Sequence, residues 1–379
     1  MNTTSIVSKL GKLSRRWLEH GYSFRKKAVR RLVRYSGFSE KMAEAMIDAL
    51  FSELTEKKIT AVLQSELKDV RALDGFVREK AAGRWVRASG PKNILHIFSS
   101  NIPTVPVQSF VLGLLLKSSN TGKLSSRDRG FLDIYLQSLK TVNKELWKAC
   151  RLTSPKDRNL SRLSKGADLV VAYGSDESLE EIRKSIPAVT PFFGYGHRVS
   201  LGLYFREALS KGRANTLAKK AAHDIWMVDQ RGCLSPVMLY VEKGGEVPPF
   251  EFSEYLAEAL RKLEKNARNA LKAHHNQNRH KIEKLKGRLL VSSGSQFVSI
   301  REFTSFKKVF SELKPAQKHL QCVALECDDK KRTKIAEKLS FLGANRICHA
   351  GKMQNPPLTW HHDGKMNLAS WVNWTDLET

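Results

Sequence analysis

The chain has 379 residues, 41% of them hydrophobic, and 65 Lys and Arg against 38 Asp and Glu give a net charge of +27. That balance excludes a disordered or fibrous chain and leaves room for two or three domains with cores of their own. The charge favours anionic company (nucleic acid, acidic proteins, phosphorylated cofactors or anionic lipid), while five cysteines, odd in number and irregularly spaced, do not form a disulfide framework.

Residues 1 to about 85 read as helices, with apolar residues at helical spacing from Phe38 through Met42, Met46, Ile47, Leu50, Phe51 and Leu54, and Ser39 as an N-cap. The first 36 residues hold ten Lys/Arg and a single acidic residue, Glu19, which makes them either a solvated basic face or a dock for an acidic partner. At Gly90 the pattern changes. A short strand, 93–98, leads into Ser99-Ser100-Asn101-Ile102-Pro103, followed by helices at 107–116 and 127–149. A strand at 168–173 ends in Gly174-Ser175, and a helix follows from 176 to 185. Strands that alternate with helices predict an α/β layer with a parallel sheet, whose carboxyl ends, here Asn101 and Gly174, are where such sheets bind ligands. Further on, the spacing predicts a strand at 237–241, a long charged helix over 252–286, and strands at 288–292 and 321–326. Three tryptophans in 346–379 predict a packed terminal segment. The chain opens on no secretory leader, and its longest apolar run, 110–116, is far short of the ~20 residues of a membrane helix; a cytoplasmic protein with no membrane span is expected.

Several motifs fail on their chemistry. Gly194-Tyr195-Gly196-His197-Arg198-Val199 lacks the third glycine of a dinucleotide fingerprint, and Gly122-Lys123 is followed by Leu124 where a P-loop needs Ser or Thr. His274, His275 and His280 have no carboxylate or cysteine beside them, and Cys322 and Cys327 have no second pair, so no metal site is predicted. His361-His362-Asp363 suits either chemistry or a capping role.

Asp229-Gln230-Arg231-Gly232-Cys233-Leu234-Ser235-Pro236 presents a thiol at a turn before a strand. A thiolate can accept an acyl group and release it again. The resulting oxyanion needs fixed donors, and Asn101 offers a side-chain amide. Lys123 and the Gly174-Ser175 turn offer cationic, hydroxyl and helix-start N–H contacts to a dinucleotide.

In this order (Asn at a strand end, Lys about twenty residues later, Gly-Ser after another strand, then Cys) the chain resembles the aldehyde dehydrogenase superfamily. It is most similar there to acyl-CoA reductases of the kind in bacterial luminescence systems. The resemblance runs through 96–103, 172–175, 229–236 and 362–374. It implies an aldehyde-dehydrogenase-like α/β fold with a helical N-terminal region (1–85), a Rossmann-type NAD(P)-binding domain (86–221), a smaller α/β catalytic domain (222–345), and a terminal segment (346–379) that returns to the cofactor domain or an oligomer contact. It also implies NADPH-dependent reduction of a fatty acyl-CoA or acyl carrier protein thioester to the aldehyde. Cys233 would carry the acyl group and Asn101 would hold the oxyanion; Lys123, Gly174 and Ser175 would face the cofactor. An acyl-transferring synthetase and a second copy of the chain are expected partners.

One departure is informative. Hydrolytic relatives have a glutamate upstream of the cysteine, whereas 192–197 holds no carboxylate, so nothing there would activate water against an acyl-enzyme. The general acid stays open between His197 and His362. A basic nucleic-acid-binding protein and a family member that holds acyl groups without reducing them remain as alternatives.

Overall fold

The computed structural model describes residues 1–125, 130–153, 157, 159–268, 281–285, 288–293 and 296–378. In chain order it has helices α1 (Thr3–Leu18), α2 (Ser23–Ser36), α3 (Glu40–Glu53) and α4 (Glu56–Leu67), then strands β1 (Val77–Glu79), β2 (Arg84–Ser89) and β3 (Asn93–Ile97). There follow α5 (Val105–Leu115), β4 (Ser119–Lys123), α6 (Phe131–Val142), α7 (Lys144–Lys148), β5 (Cys150–Leu152), α8 (Leu160–Ser164), β6 (Leu169–Tyr173), α9 (Asp176–Lys184) and β7 (Phe192–Tyr195). The chain goes on through β8 (Val199–Tyr204), α10 (Lys211–Trp226), β9 (Pro236–Glu242), α11 (Pro249–Arg268), β10 (Lys281–Leu285), β11 (Arg288–Ser293) and β12 (Gln296–Phe303). It closes with α12 (Phe306–Leu313), β13 (Leu320–Glu326), α13 (Asp329–Phe341), β14 (Arg346–Cys348) and β15 (Asn373–Leu377).

These elements form two compact units, one of residues 1–37, 43–197 and 357–379, the other of 38–42 and 198–356. In the first unit five parallel strands lie in the order β5-β4-β3-β6-β7. Numbered from β3, this is the 3-2-1-4-5 sequence of a dinucleotide-binding sheet, with the chain reversing direction across the sheet between β3 and β6. Strand β6, Leu-Val-Val-Ala-Tyr, reads as a continuous apolar run, as a strand covered on both faces does. On one face Leu95, Ile97, Val170 and Ala172 pack on Ile182 and Ile186. The helical core is centred on Trp17, which stacks on Phe51 with ring centres 4.6 Å apart and donates its indole N–H to Ser138 Oγ at 2.9 Å. A smaller antiparallel sheet, β1-β2-β15, joins the terminal strand to this unit. The buried Glu66 carboxylate holds the same segment by accepting the N–H groups of Asn367, Leu368 and Ala369 at 3.0, 2.6 and 3.0 Å.

The second unit has seven strands in the order β10-β11-β12-β9-β8-β13-β14. Its five parallel members, counted from β8, repeat the 3-2-1-4-5 order, and β10 and β11 extend the edge antiparallel.

Most sequence expectations at element level hold, including Ser39 Oγ as the cap that accepts Met42 N–H at 3.1 Å. Four do not. The helical reading of 1–85 ends at Leu67, after which 77–79 and 84–89 are strands. The helix expected over 127–149 is two helices, because Asn143 caps a second one by accepting Leu146 N–H. The helix expected to run to 286 is α11, and 281–285 is instead strand β10. Several elements were not expected at all, among them β7, β8, α10, β12, α12 and α13. His274, His275 and His280 lie outside the described residues.

Candidate active site

In the first unit, the sequence-selected residues lie together at the carboxyl ends of β3, β4 and β6. Lys123 is the last residue of β4, level with Ile97, which is level in turn with Ala172. Lys123 is half-buried and has no ion-pair partner among the described residues. Asn101 follows β3 on an exposed loop, and Ser99 Oγ donates to its Oδ1 at 2.5 Å, which sets the direction of the amide. Gly174 follows β6 and donates its N–H to Tyr195 O at 3.2 Å. Ser175 is the N-cap of α9, its Oγ accepting Ser178 N–H at 3.3 Å. The first turn of that helix also carries Asp176 and Glu177, and Asp176 Oδ1 accepts His197 N–H at 3.0 Å. Two carboxylates where the helix dipole would welcome an anion make this start better suited to hydroxyls than to phosphate.

Behind these residues runs a network that the sequence did not reveal. His96 on β3 is fully buried; its Nε2 lies 2.9 Å from Asn120 Oδ1 and its Nδ1 2.8 Å from Ser109 Oγ. An amide oxygen can only accept, so Nε2 carries the proton and Nδ1 accepts from Ser109, whose oxygen accepts Tyr173 O–H at 3.3 Å. Burial pushes His96 down to about 4, so the ring is neutral. Tyr173 stacks on Phe98 and on Tyr195, with centres 5.6 and 5.0 Å apart. His362 continues the stack, 4.2 Å from Tyr195 on one side and 5.0 Å from Trp360 on the other, with Nε2 at 3.8 Å from Asp363 Oδ1. Asp363 and Gly364 both have positive φ, 53° and 73°, and Lys365 N–H donates to His362 O at 3.1 Å. This tight Asp-Gly turn is what brings the histidine back onto the aromatic shelf.

Cys233 belongs to the second unit. It is half-buried in a turn between α10 and β9, closed by Ser235 N–H donating to Gly232 O at 3.0 Å. Ser200 Oγ donates to Cys233 O at 2.6 Å and accepts Cys322 N–H at 3.2 Å. Gln354 Nε2 donates to Ser235 Oγ at 3.0 Å and to Asp224 O at 2.8 Å. The Asp224 carboxylate accepts Gly351 and Met353 N–H at 2.6 and 3.0 Å, and burial pushes it up to about 7 despite those donors. The other cysteines differ in setting. Burial pushes Cys150 up to about 12. Cys322 and Cys348, brought together by adjacent strands β13 and β14, have sulfurs 3.8 Å apart; the hydrogen bond between them lowers Cys348 and raises Cys322.

A cavity of about 630 Å³ opens elsewhere in the first unit, between α4 and the β1-β2-β15 sheet, and includes none of the sequence-selected residues. Among its lining charges Arg84 pairs with Glu79 and Asp376, and Lys68 with Glu79. Among the described residues no cluster of three or more His, Cys, Asp and Glu could hold a metal ion, and no helix is long and apolar enough to cross a membrane.

Comparison with known proteins agrees with this architecture. Among curated proteins, the long-chain acyl-protein thioester reductase of Aliivibrio fischeri is 27% identical over 248 residues, covering 63% of this chain and 50% of the relative. That of Vibrio harveyi is 23% identical over 251 residues, with coverage of 63% and 50%. The matched stretch thus spans about half the length of these relatives. Among solved structures, an oxidoreductase from Marinobacter aquaeolei superimposes with a TM-score of 0.69 at 13% identity, over 100% of this chain and 86% of that one. A NAD-dependent benzaldehyde dehydrogenase from Corynebacterium glutamicum gives 0.67 at 11%, with coverage of 100% and 86%. A profile for acyl-CoA reductase (LuxC) matches residues 1–287 and 265–374, so the chain, with its aldehyde-dehydrogenase-like α/β fold, belongs to that family.

Proposed function

We propose that this chain reduces a long-chain fatty acyl thioester to the aldehyde, with Cys233 as acyl acceptor and NADPH as reductant. The observation that carries the reading is the Cys233 turn, a half-buried thiol whose backbone is held on a sheet by Ser200. A held thiol can meet a carbonyl carbon repeatedly in one geometry, which is what acyl transfer needs. The thiolate adds to the acyl carbon, the bond to the donor sulfur breaks, and the donor leaves as a thiolate. The amide of Asn101, its direction set by Ser99, and the backbone N–H of Cys233 are the donors proposed for the oxyanion.

The first unit's residues fit a nicotinamide dinucleotide. The sheet has the strand order of such domains, and a half-buried ammonium at Lys123 sits at its carboxyl end beside the β3–β6 reversal. Lys123 would meet ribose or phosphate oxygens. Gly174 and Ser175 would meet ribose hydroxyls, since Asp176 and Glu177 hold the helix start. When bound, the cofactor supplies the hydride that turns the Cys233-bound acyl group into an aldehyde. Residues 192–197 offer no carboxylate to activate water, which protects the thioester from hydrolysis. His362, clamped between Tyr195 and Trp360 and next to Asp363, is the better placed of the two general-acid candidates; His197 is exposed and tied by its backbone to Asp176. Acyl-CoA, an acyl carrier protein and an acyl-transferring synthetase are all donors compatible with a basic chain. The relatives' designation as acyl-protein thioester reductases favours a protein-borne group.

Intact-protein mass spectrometry with hexadecanoyl-CoA and no NADPH tests the reading. The expected outcome is an acyl adduct on the peptide holding Cys233, absent in Cys233→Ala, and loss of NADPH absorbance only when both substrates are mixed. An unmodified wild-type protein, or an alanine variant that still consumes NADPH, overturns it.

A further inference from the structure

The backbone just before Cys233 is under strain. Val228, Asp229 and Gln230 have φ of 52°, 53° and 57°, three consecutive non-glycine residues in the left-handed region. That region crowds Cβ against the following carbonyl oxygen, and a β-branched valine tolerates it poorly. Such a run persists only where its surroundings enforce it. Here the Gln230 side chain does so. Its Nε2 donates to Pro236 O at 2.9 Å and to Phe297 O at 2.8 Å, and its Oε1 accepts Phe297 N–H at 2.8 Å.

The reason lies in the sheet. Strands β9 and β12 pair in parallel from Met238 and Ser299 onward. Two residues earlier on the same register Pro236 would face Phe297, but the paired stretch does not reach them. The Gln230 amide bridges the two instead. On the other flank of β9 the ladder with β8 is also irregular, slipping between Ser200 and Leu201. The Ser200 hydroxyl reaches to both sides of β8, donating to Cys233 O and accepting Cys322 N–H from β13, where that ladder is irregular too. The turn that carries the thiol is therefore tied by side-chain hydrogen bonds to both strands that flank β9, at the ends where the ladders stop or slip.

We propose that Gln230 and Ser200 are positioning residues, a two-sided clasp that fixes the Cys233 turn for acyl transfer; this rests on Cys233 being the acyl acceptor. Neither side chain touches substrate. Their contribution is the placement of the sulfur, where an error of about 1 Å can cost up to about 100-fold in rate.

The test is single-turnover acyl loading of the full chain by hexadecanoyl-CoA at saturation, followed by mass spectrometry, in wild type, Gln230→Ala, Ser200→Ala and Cys233→Ala. In the first two variants the rate constant of loading is expected to fall about 10- to 100-fold while its final amplitude stays complete. Iodoacetamide, a small reagent that needs no docking, should alkylate Cys233 in them no more slowly than in wild type. Reduced amplitude with an unchanged rate constant marks a merely structural role and overturns the clasp, as do wild-type rates or loading and alkylation slowing together. Should Gln230→Ala not fold, Ser200→Ala alone decides by the same criteria. A wild-type protein that takes no adduct at Cys233 sinks the underlying function instead, an outcome distinct from variants that load normally.

Discussion

Lys123 is the residue whose setting most directly invites an anion. It ends a parallel strand, is half-buried, and pairs with no carboxylate among the described residues. If it meets a cofactor oxygen, Lys123→Met should weaken NADPH binding about tenfold, equivalent to about 1.4 kcal/mol. Fluorescence titration of NADPH in the Cys233→Ala background measures this without turnover; an unchanged affinity removes Lys123 from the cofactor site. At this scale the sequence was informative about residue types and silent about partners. Cys233, Asn101, Lys123 and Ser175 stand out because their chemistry is distinctive and each sits at the end of a recognisable strand or in a turn beside one. Gln230 and Ser200 do not, because the groups that give them meaning, Phe297 and Cys322, lie 67 and 122 residues away in the chain.

Among the elements, the approach of α5 to β4 shows how one glycine organises a network. A Cβ on Gly113 would come within 1.9 Å of Asn120 Oδ1, the atom that accepts from His96. Gly113→Ala should therefore displace Asn120, leave the buried His96 N–H unpaired, and cost about 3 kcal/mol by overpacking plus a lost buried hydrogen bond. Gly166→Ala, where a Cβ would meet nothing within 4 Å, is the control. Urea unfolding of the two variants compares them, and equal midpoints would contradict the argument. Two of the elements missed in the sequence share a cause with this one: small residues. Helix α10 buries Ala214, Ala218, Ala221 and Ala222, a stripe that apolar periodicity registers weakly beside its lysines. Strand β8 carries Ser200 and Gly202, and Gly202 is required because a Cβ there would lie 2.6 Å from Leu239. Conversely, the helix expected to continue to 286 was overextended because charged residues keep helical propensity past Arg268, while the strand at 281–285 takes its form from hairpin pairing with β11, which helical periodicity does not register.

On the scale of the whole molecule, the two units should respond to acid in opposite ways. His96, in the first, is held down to about 4 by burial, against an ordinary 6.5. Its unfolded form binds a proton first, so the stability it contributes is present above pH 6.5 and is lost as pH falls toward 4. Asp224, in the second, is held up to about 7 against 3.8. Its folded form binds the proton first, so its contribution is present at low pH and is lost as pH rises through 7. Between about pH 7.5 and pH 5 each effect is on the order of 2 kcal/mol. Hydrogen exchange followed by mass spectrometry, corrected for intrinsic rates, should show protection falling around β3 and rising around α10 on acidification. Asp224→Asn should flatten the second trend; parallel trends in both units would refute the assignment.

The tight turn at Asp363 and Gly364 lays an imidazole against an indole, His362 on Trp360. An indole's emission depends on the ring it touches. The brightness of Trp360 therefore reports whether His362 keeps its seat on it, giving the molecule an intrinsic optical gauge beside its candidate cofactor site.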